Sequence, residues 1–296
     1  MAKSALLKSS IAKKYWMALT GLFLCLFLVG HLLGNLQLIF ADALQFNVYA
    51  LFMTSNPAVK ILSYVTYFSI LFHAIDGIIL TIQNRKARPV NYVMNNPGQN
   101  TIWASRNMGI LGTIILVFIV THMVNFWAVM HFKKDMPLQT MSMQGQMGKQ
   151  EFYITTGEGQ SRFLPVNAVD GESLIKEGNK FYLVIDRDPS ISSDAEGAED
   201  NKEKVFFAEG YKDLHKITVD FFQQPTYGLW WTIGYVLCMI ALGFHLYHGF
   251  GSAFQSLGAN NPKYNPLIKN FGKAFAIIVP LLFAYIPIYI HFFLSK

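Results

Sequence analysis

The chain has 296 residues, 52% of them hydrophobic and 14% charged, with a mean hydropathy of +0.30. That balance excludes an ordinary soluble domain and points to a polytopic membrane protein. The formal charge of +6 does not mark a nucleic-acid binder, because the basic residues lie in short runs beside apolar segments rather than on one face.

The amino-terminal tail carries Lys3, Lys8, Lys13 and Lys14 and no acid, which suits a membrane surface or a partner subunit. The first apolar segment, 15–40, holds 26 residues and no charge. At about 1.5 Å per residue it outruns a hydrocarbon core of roughly 30 Å, and it is too long for a cleaved signal sequence. A second span is expected from Pro57 to Gln83, stopped by Arg85, Lys86 and Arg88. The third is expected from Met108 to Met130, after the entry Trp103-Ala104-Ser105-Arg106. A polar interruption follows over 131–224. The fourth span is expected over Gly228–Phe254 and the fifth over Phe271–Leu294, with Pro280 and Pro287 kinking the last or leaning on a neighbour. Cys25 and Cys238 fall within spans, with no metal-ligand spacing, and receive no role.

Five spans place the termini on opposite sides. The tail, the second-to-third connection and the fourth-to-fifth connection hold eleven basic residues and no acid, so they belong inside. The interruption at 131–224 holds 11 basic and 16 acidic residues and belongs outside. Its stretches EFYITTG, RFLPVNAV, KFYLVIDRD and KVFFAEGY alternate like strands, while 190–201 reads as a polar loop. His215, among Lys and Asp, reads as a solvated side chain. The expected fold is therefore all-α transmembrane, a five-helix bundle with a small β-rich insert between helices 3 and 4. The expected domains are 1–130, 131–224 and 225–296.

Spans one to four each carry an imidazole: His31, His73, His122 and His245. Counted from the span entries, His31 and His122 fall near the outer side and His73 and His245 near the inner side. Two His pairs at two depths are what two bis-imidazole haems stacked across a membrane require. Gly30, Gly34, Gly77, Gly243 and Gly249 are small enough to admit a flat macrocycle. The haems would be b-type, since the CxxCH attachment motif is absent. A lone intramembrane His is equally well explained by a hydrogen bond to a neighbouring carbonyl. His248, three residues after His245, is a second candidate for the inner ligand or for a propionate contact. His131 and His291 read as interfacial.

At these residues the chain resembles the cytochrome b membrane anchor of the succinate:quinone oxidoreductases, of the single-polypeptide, five-helix, dihaem type. The resemblance rests on GHLLGN around His31, LFHAIDG around His73, RKARPVNY and ASR before the third span, VTHMVNFW around His122 and FHLYHGFGSAFQSLG around His245. It covers residues 5–130 and 225–290. It implies that His31 and His122 ligate the distal haem, and that His73 and His245, rather than His248, ligate the proximal one. It implies a flavoprotein and an iron–sulfur subunit on the inner face of a bacterial cytoplasmic membrane, with electrons passing through the haems to a quinone, menaquinone by expectation, or in reverse for fumarate reduction. This chain would carry no succinate chemistry itself.

Arg106 and His248 are candidate propionate contacts, and Asn35, Gln37 and Asp42 are candidates for an outer quinone site. The insert departs from the family pattern, as does Gly243 where some members carry an acid. Asp76 is an additional intramembrane acid, suited to anchoring an imidazole or to proton transfer. The competing readings are a dihaem anchor of a hydrogenase or formate dehydrogenase, and a transporter or assembly protein with structural histidines.

Overall fold

The computed structural model describes residues 9–87, 89–90, 94, 96–145, 148–186 and 202–294. Lys3, Lys8 and Arg88 of the inner charge set, and the loop expected over 190–201, lie outside the described residues. In chain order the principal helices are α1 (Ser10–Asn35), α2 (Ala43–Ser55), α3 (Pro57–Lys86), α4 (Met108–His122), α5 (Leu214–Gln223), α6 (Gly228–Ser256) and α7 (Asn265–Phe292). Beyond α4 the chain continues as a π-helical turn, Met123–Ala128, and a last α turn, Val129–Phe132.

Five helical stretches are long and apolar enough to cross a membrane: Ile11–Phe40, Pro57–Lys86, Met108–Phe132, Gly228–Ser256 and Asn265–Phe292. Their ends carry ordinary stop and start chemistry. Asn56 accepts from the amides of Ala58 and Val59 at 2.9 and 3.3 Å and Pro57 opens α3, while Arg85 and Lys86 face its C-terminal dipole. Leu26, Ile61, Tyr64, Val117, Trp230 and Leu281 are 60–70% exposed. Apolar side chains turned outward on every span suit a hydrocarbon surround rather than water.

The chain divides into two compact units. The first comprises 1–40, 53–123 and 219–296 and contains most of the apolar helices. Within it α6 and α7 pack closely: a Cβ at Gly243 would lie 3.1 Å from the Ala276 carbonyl oxygen and 3.8 Å from the Pro280 ring. Helix α7 runs unbroken across Pro280 and Pro287, both buried, so the proline positions lean on a neighbouring helix. The C-terminal end of α7 is tied to α5, where Gln223 Nε2 donates to the carbonyls of Ile290 and Leu294, each at 2.8 Å. Those are carbonyls that a helix end leaves unpaired.

The second unit comprises 41–52 and 124–218. It contains a curled antiparallel sheet of six strands, β1 (Thr140–Gly145), β2 (Gly148–Gly159), β3 (Phe163–Pro165), β4 (Leu174–Glu177), β5 (Lys180–Asp186) and β6 (Lys202–Gly210), ordered β1-β2-β6-β5-β4 with β3 also on β2. Its core is Leu138, Leu164, Leu174, Phe181 and Ala208. Gly159, at φ +111°, lies so close to the backbone of Phe207 that no side chain fits there, and β2 bulges between Thr155 and Gly159.

The sheet corrects the expected all-α fold with a small insert. Four of the six strands coincide with the aromatic and β-branched runs read from the sequence, but TMSMQG of β1 and LIKE of β4 lack that composition. The amphipathic LHKITVDFFQ of α5 and the helix α2 also lie within segments expected to be strand-rich or loop. The chain thus joins an apolar helical bundle to a sheet with its own core.

Within the second unit the amide of Asn47 ties α2 to the segments around Gln139 and Asp213. Asn47, 1% exposed, donates from Nδ2 to Gln139 Oε1 at 2.5 Å and to Asp213 Oδ1 at 2.8 Å, and its Oδ1 accepts from the His215 amide at 3.0 Å. Asp213 also accepts from the Lys216 amide at 2.9 Å, capping the start of α5. Lys212 Nζ donates to the Met130 carbonyl at 3.0 Å. His215 is half-buried against the Phe46 ring rather than fully solvated, as the sequence reading had it.

Replacement of Asn47 by Ala orphans several of these groups, so it is expected to destabilise this unit by about 2–4 kcal/mol. Faster cleavage of the insert under limited proteolysis is the readout. Burial holds the His215 imidazole below its ordinary pKa, against the opposing pull of Asp213 and Asp42. The unfolded chain therefore takes up the proton first, and stability is expected to fall as pH drops below about 6.5. His215→Gln should flatten that dependence in a pH series of thermal melts.

Candidate functional site

Four of the histidines on the spans form two facing pairs. The rings of His31 on α1 and His122 on α4 have centroids 5.8 Å apart with planes crossed at 89°. Those of His73 on α3 and His245 on α6 are 6.2 Å apart and crossed at 69°. Each pair draws on two different helices, and the pairing is the one expected from depth. His248 makes no comparable ring contact with His73 among the described residues, so His245 is the partner.

The vertical offset between the pairs can be read twice. His73 touches α1 at Met17, Thr20 and Gly21, and His31 lies ten residues beyond Gly21, about 15 Å along the helix. His122 touches α6 at Tyr235, and His245 lies ten residues beyond Tyr235, again about 15 Å along the helix. Two helices thus give one spacing.

Each pair would suit holding a haem iron between its two imidazoles. With metal–nitrogen bonds of about 2 Å and roughly 1.2 Å from ring nitrogen to ring centre, two imidazoles on one iron have centroids about 6.4 Å apart. The tautomer at His73 is also suitable. Thr20 Oγ1 donates to the Trp16 carbonyl at 2.8 Å, so toward His73 Nδ1, 3.3 Å away, it acts as acceptor, as does the Met17 carbonyl at 3.2 Å. Nδ1 therefore carries the proton and Nε2 keeps its lone pair, the arrangement a ligating His takes when a second group holds it. His245 Nδ1 is buried with no hydrogen-bond partner among the described residues. Packing alone orients that ring, at the expense of an unsatisfied nitrogen.

Glycines clear the space around the rings, though they are not chiefly those singled out in the sequence. A Cβ on Gly21 would lie 3.1 Å from His73 Cε1, and one on Gly112 would lie 3.7 Å from His245 Cε1. Gly30 and Gly77 have nothing within 4 Å of a Cβ position, which leaves room beside them. Gly243 instead serves the contact of α6 with α7, and Gly249 lies 4.0 Å from Met108 Cε by the same measure. Phe27 and Phe283 pack against the His31 ring at 5.2 and 5.8 Å and Phe118 against the His122 ring at 5.7 Å.

Of the remaining candidates Asn35 lies beside a paired ring, its Nδ2 3.5 Å from both ring nitrogens of His31. Arg106 Nη1 donates to the carbonyls of Pro97, at 2.8 Å, and Thr101, holding the loop before the third span. Asn35 Nδ2 donates to the His31 carbonyl at 2.7 Å, and Gln37 follows in a short helical turn, Gln37–Phe40. Asp42, in the second unit, accepts from the Gln45 amide at 2.8 Å and caps α2. His131 Nδ1 pairs with the Trp127 carbonyl at 2.8 Å and His291 Nδ1 with the Phe222 carbonyl at 2.6 Å, so both imidazoles have local backbone partners. No group of three or more His, Cys, Asp or Glu suited to a metal ion occurs among the described residues. A haem held between two imidazoles would need only a pair of such residues. Thr20, Gly21, Gly112 and Tyr235 were not read from the sequence, although Thr20-Gly21 and Gly112 sit on spans that carry paired histidines.

Were the two pairs to hold haem, Gly21→Ala should push the His73 ring aside and lower the occupancy of one, whereas Gly112→Ala, in ordinary contact with His245, should retain both. Pyridine haemochrome assays on the purified variants measure the ratio. No protein-family model, no curated protein and no solved structure matches this chain.

Proposed function

We propose that this chain is the membrane anchor and electron conduit of a succinate:quinone oxidoreductase, with His31 and His122 holding an outer b-type haem and His73 and His245 an inner one. The observation that carries the reading is the geometry of the two pairs: crossed imidazoles at 5.8 and 6.2 Å, from four helices, at two depths. A single intramembrane His is well served by any neighbouring carbonyl, but two crossed imidazole pairs are not needed to satisfy imidazoles. Bound there, the haems supply one-electron carriers at two depths of the membrane. The chain does the rest. Its helices hold the imidazoles in register, Met17 and Thr20 set the His73 tautomer, and apolar side chains keep water from the rings.

In this reading the basic inner connections face the cytoplasm of a bacterium and receive an iron–sulfur subunit, itself bound to a flavoprotein that handles succinate and fumarate. The sheet-bearing unit lies on the outer side. Menaquinone is the expected partner, with Asn35 and Gln37, at the outer end of the first span, the groups available to it.

Purification from the native membrane tests the whole reading. Two b haems per chain, with a flavoprotein and an iron–sulfur protein and succinate-dependent quinone reduction, is the expected result. His31→Ala and His122→Ala should each remove the same haem, and His73→Ala and His245→Ala the other. His248→Ala should retain both. Two haems with a hydrogenase or formate dehydrogenase would change the substrate, and a chain without a b-type absorption band would refute the haem sites.

A further inference from the structure

The two imidazole pairs are supported differently on the Nδ1 side. At the inner pair the partner is backbone, the Met17 carbonyl at 3.2 Å, joined by Thr20. At the outer pair the partners are side chains: Tyr235 Oη lies 3.4 Å from His122 Nδ1, and Asn35 Nδ2 lies 3.5 Å from His31 Nδ1. Tyr235 is only 9% exposed, in a helix that crosses the membrane. Its ring is wedged edge-on against Phe118 at 4.9 Å and Phe222 at 5.0 Å, with Phe221 at 6.1 Å. The Phe118 ring in turn stacks on His122 at 5.7 Å. Three phenylalanines thus hold the phenol in place. A buried tyrosine hydroxyl normally finds a polar partner, and this one is aimed at an imidazole nitrogen.

We propose that Tyr235 is the positioning residue of the outer site: its hydroxyl accepts the Nδ1 proton of His122, fixes the tautomer that offers Nε2 to iron, and makes that ligand more electron-rich. The inference rests on the two-haem reading above. A ligating imidazole that donates its second N–H becomes a stronger base and favours the more oxidised metal. Removing the acceptor therefore raises the midpoint potential of the outer haem. The inner haem, held through Met17 and Thr20 at a site about 15 Å away along α6, is left as it was.

The test is Tyr235→Phe in the full chain, purified with whatever subunits accompany it, followed by haem quantitation, optical redox titration and low-temperature EPR of the oxidised protein. His31→Ala, which retains only the inner haem, assigns the two potentials. The expected result is two haems, with the outer potential raised, the outer low-spin signal shifted and the inner one unchanged. Loss of the outer haem alone supports the same role more strongly, because the substitution removes only a hydroxyl. Unchanged potentials and signals, or equal changes at both haems, overturn the proposal and leave Tyr235 a packing residue. If the unaltered protein holds no haem, it is the underlying reading that fails. Tyr235→Leu, which removes the ring, separates packing from hydroxyl: loss of the outer haem there but an unshifted potential in Tyr235→Phe assigns the effect to the phenyl ring.

Discussion

An imidazole in a hydrocarbon surround must be engaged on both of its nitrogens or bear the cost of an unsatisfied polar group, about 1–3 kcal/mol. Four of them, on four helices, restrict how the bundle can assemble. Once His31 must face His122 and His73 must face His245, the rotation of each helix about its axis is set, and so is the relative height of neighbours. The remaining contacts follow from this. Gly21 and Gly112 lie where rings approach, Thr20 and Met17 lie where Nδ1 points, and Gly243 lies where α6 meets α7.

The positions of the pairs were legible in the sequence because helical rise converts residue number into depth, and four consecutive spans alternate in direction. Their supports were not. Thr20 is an unremarked hydroxyl in an apolar run, and its meaning appears only when its proton is seen to go to Trp16, leaving oxygen toward His73. Glycines were legible as a class but not individually. Gly243 and Gly21 look alike in a sequence, yet one meets a helix backbone and the other an imidazole. Arg106 shows the converse. A cation at a span entry invites an anionic partner, but in the fold its guanidinium holds backbone carbonyls of its own loop.

The five spans were legible from hydropathy alone, with shifts at their ends. The extramembrane part was read less completely, because strand signals depend on composition and β1 and β4 have the wrong one. Tertiary pairing with β2 and β5 makes them strands. Helix α2 escaped notice for a related reason: it sits in what looks like a connection between spans, and it acquires its role from residues far along the chain.

That last feature bears on how the protein is made. Asn47 finds its partners 92 and 166 residues later, at Gln139 and Asp213. A ribosome delivers α2 well before either, with two further spans to be threaded into the bilayer in between. The Asn47 amide must wait for these partners until the segment 124–218 has been synthesised, and only then can the second unit close. Its completion is therefore a late event in the synthesis of the chain, set by the order of its segments rather than by local propensity.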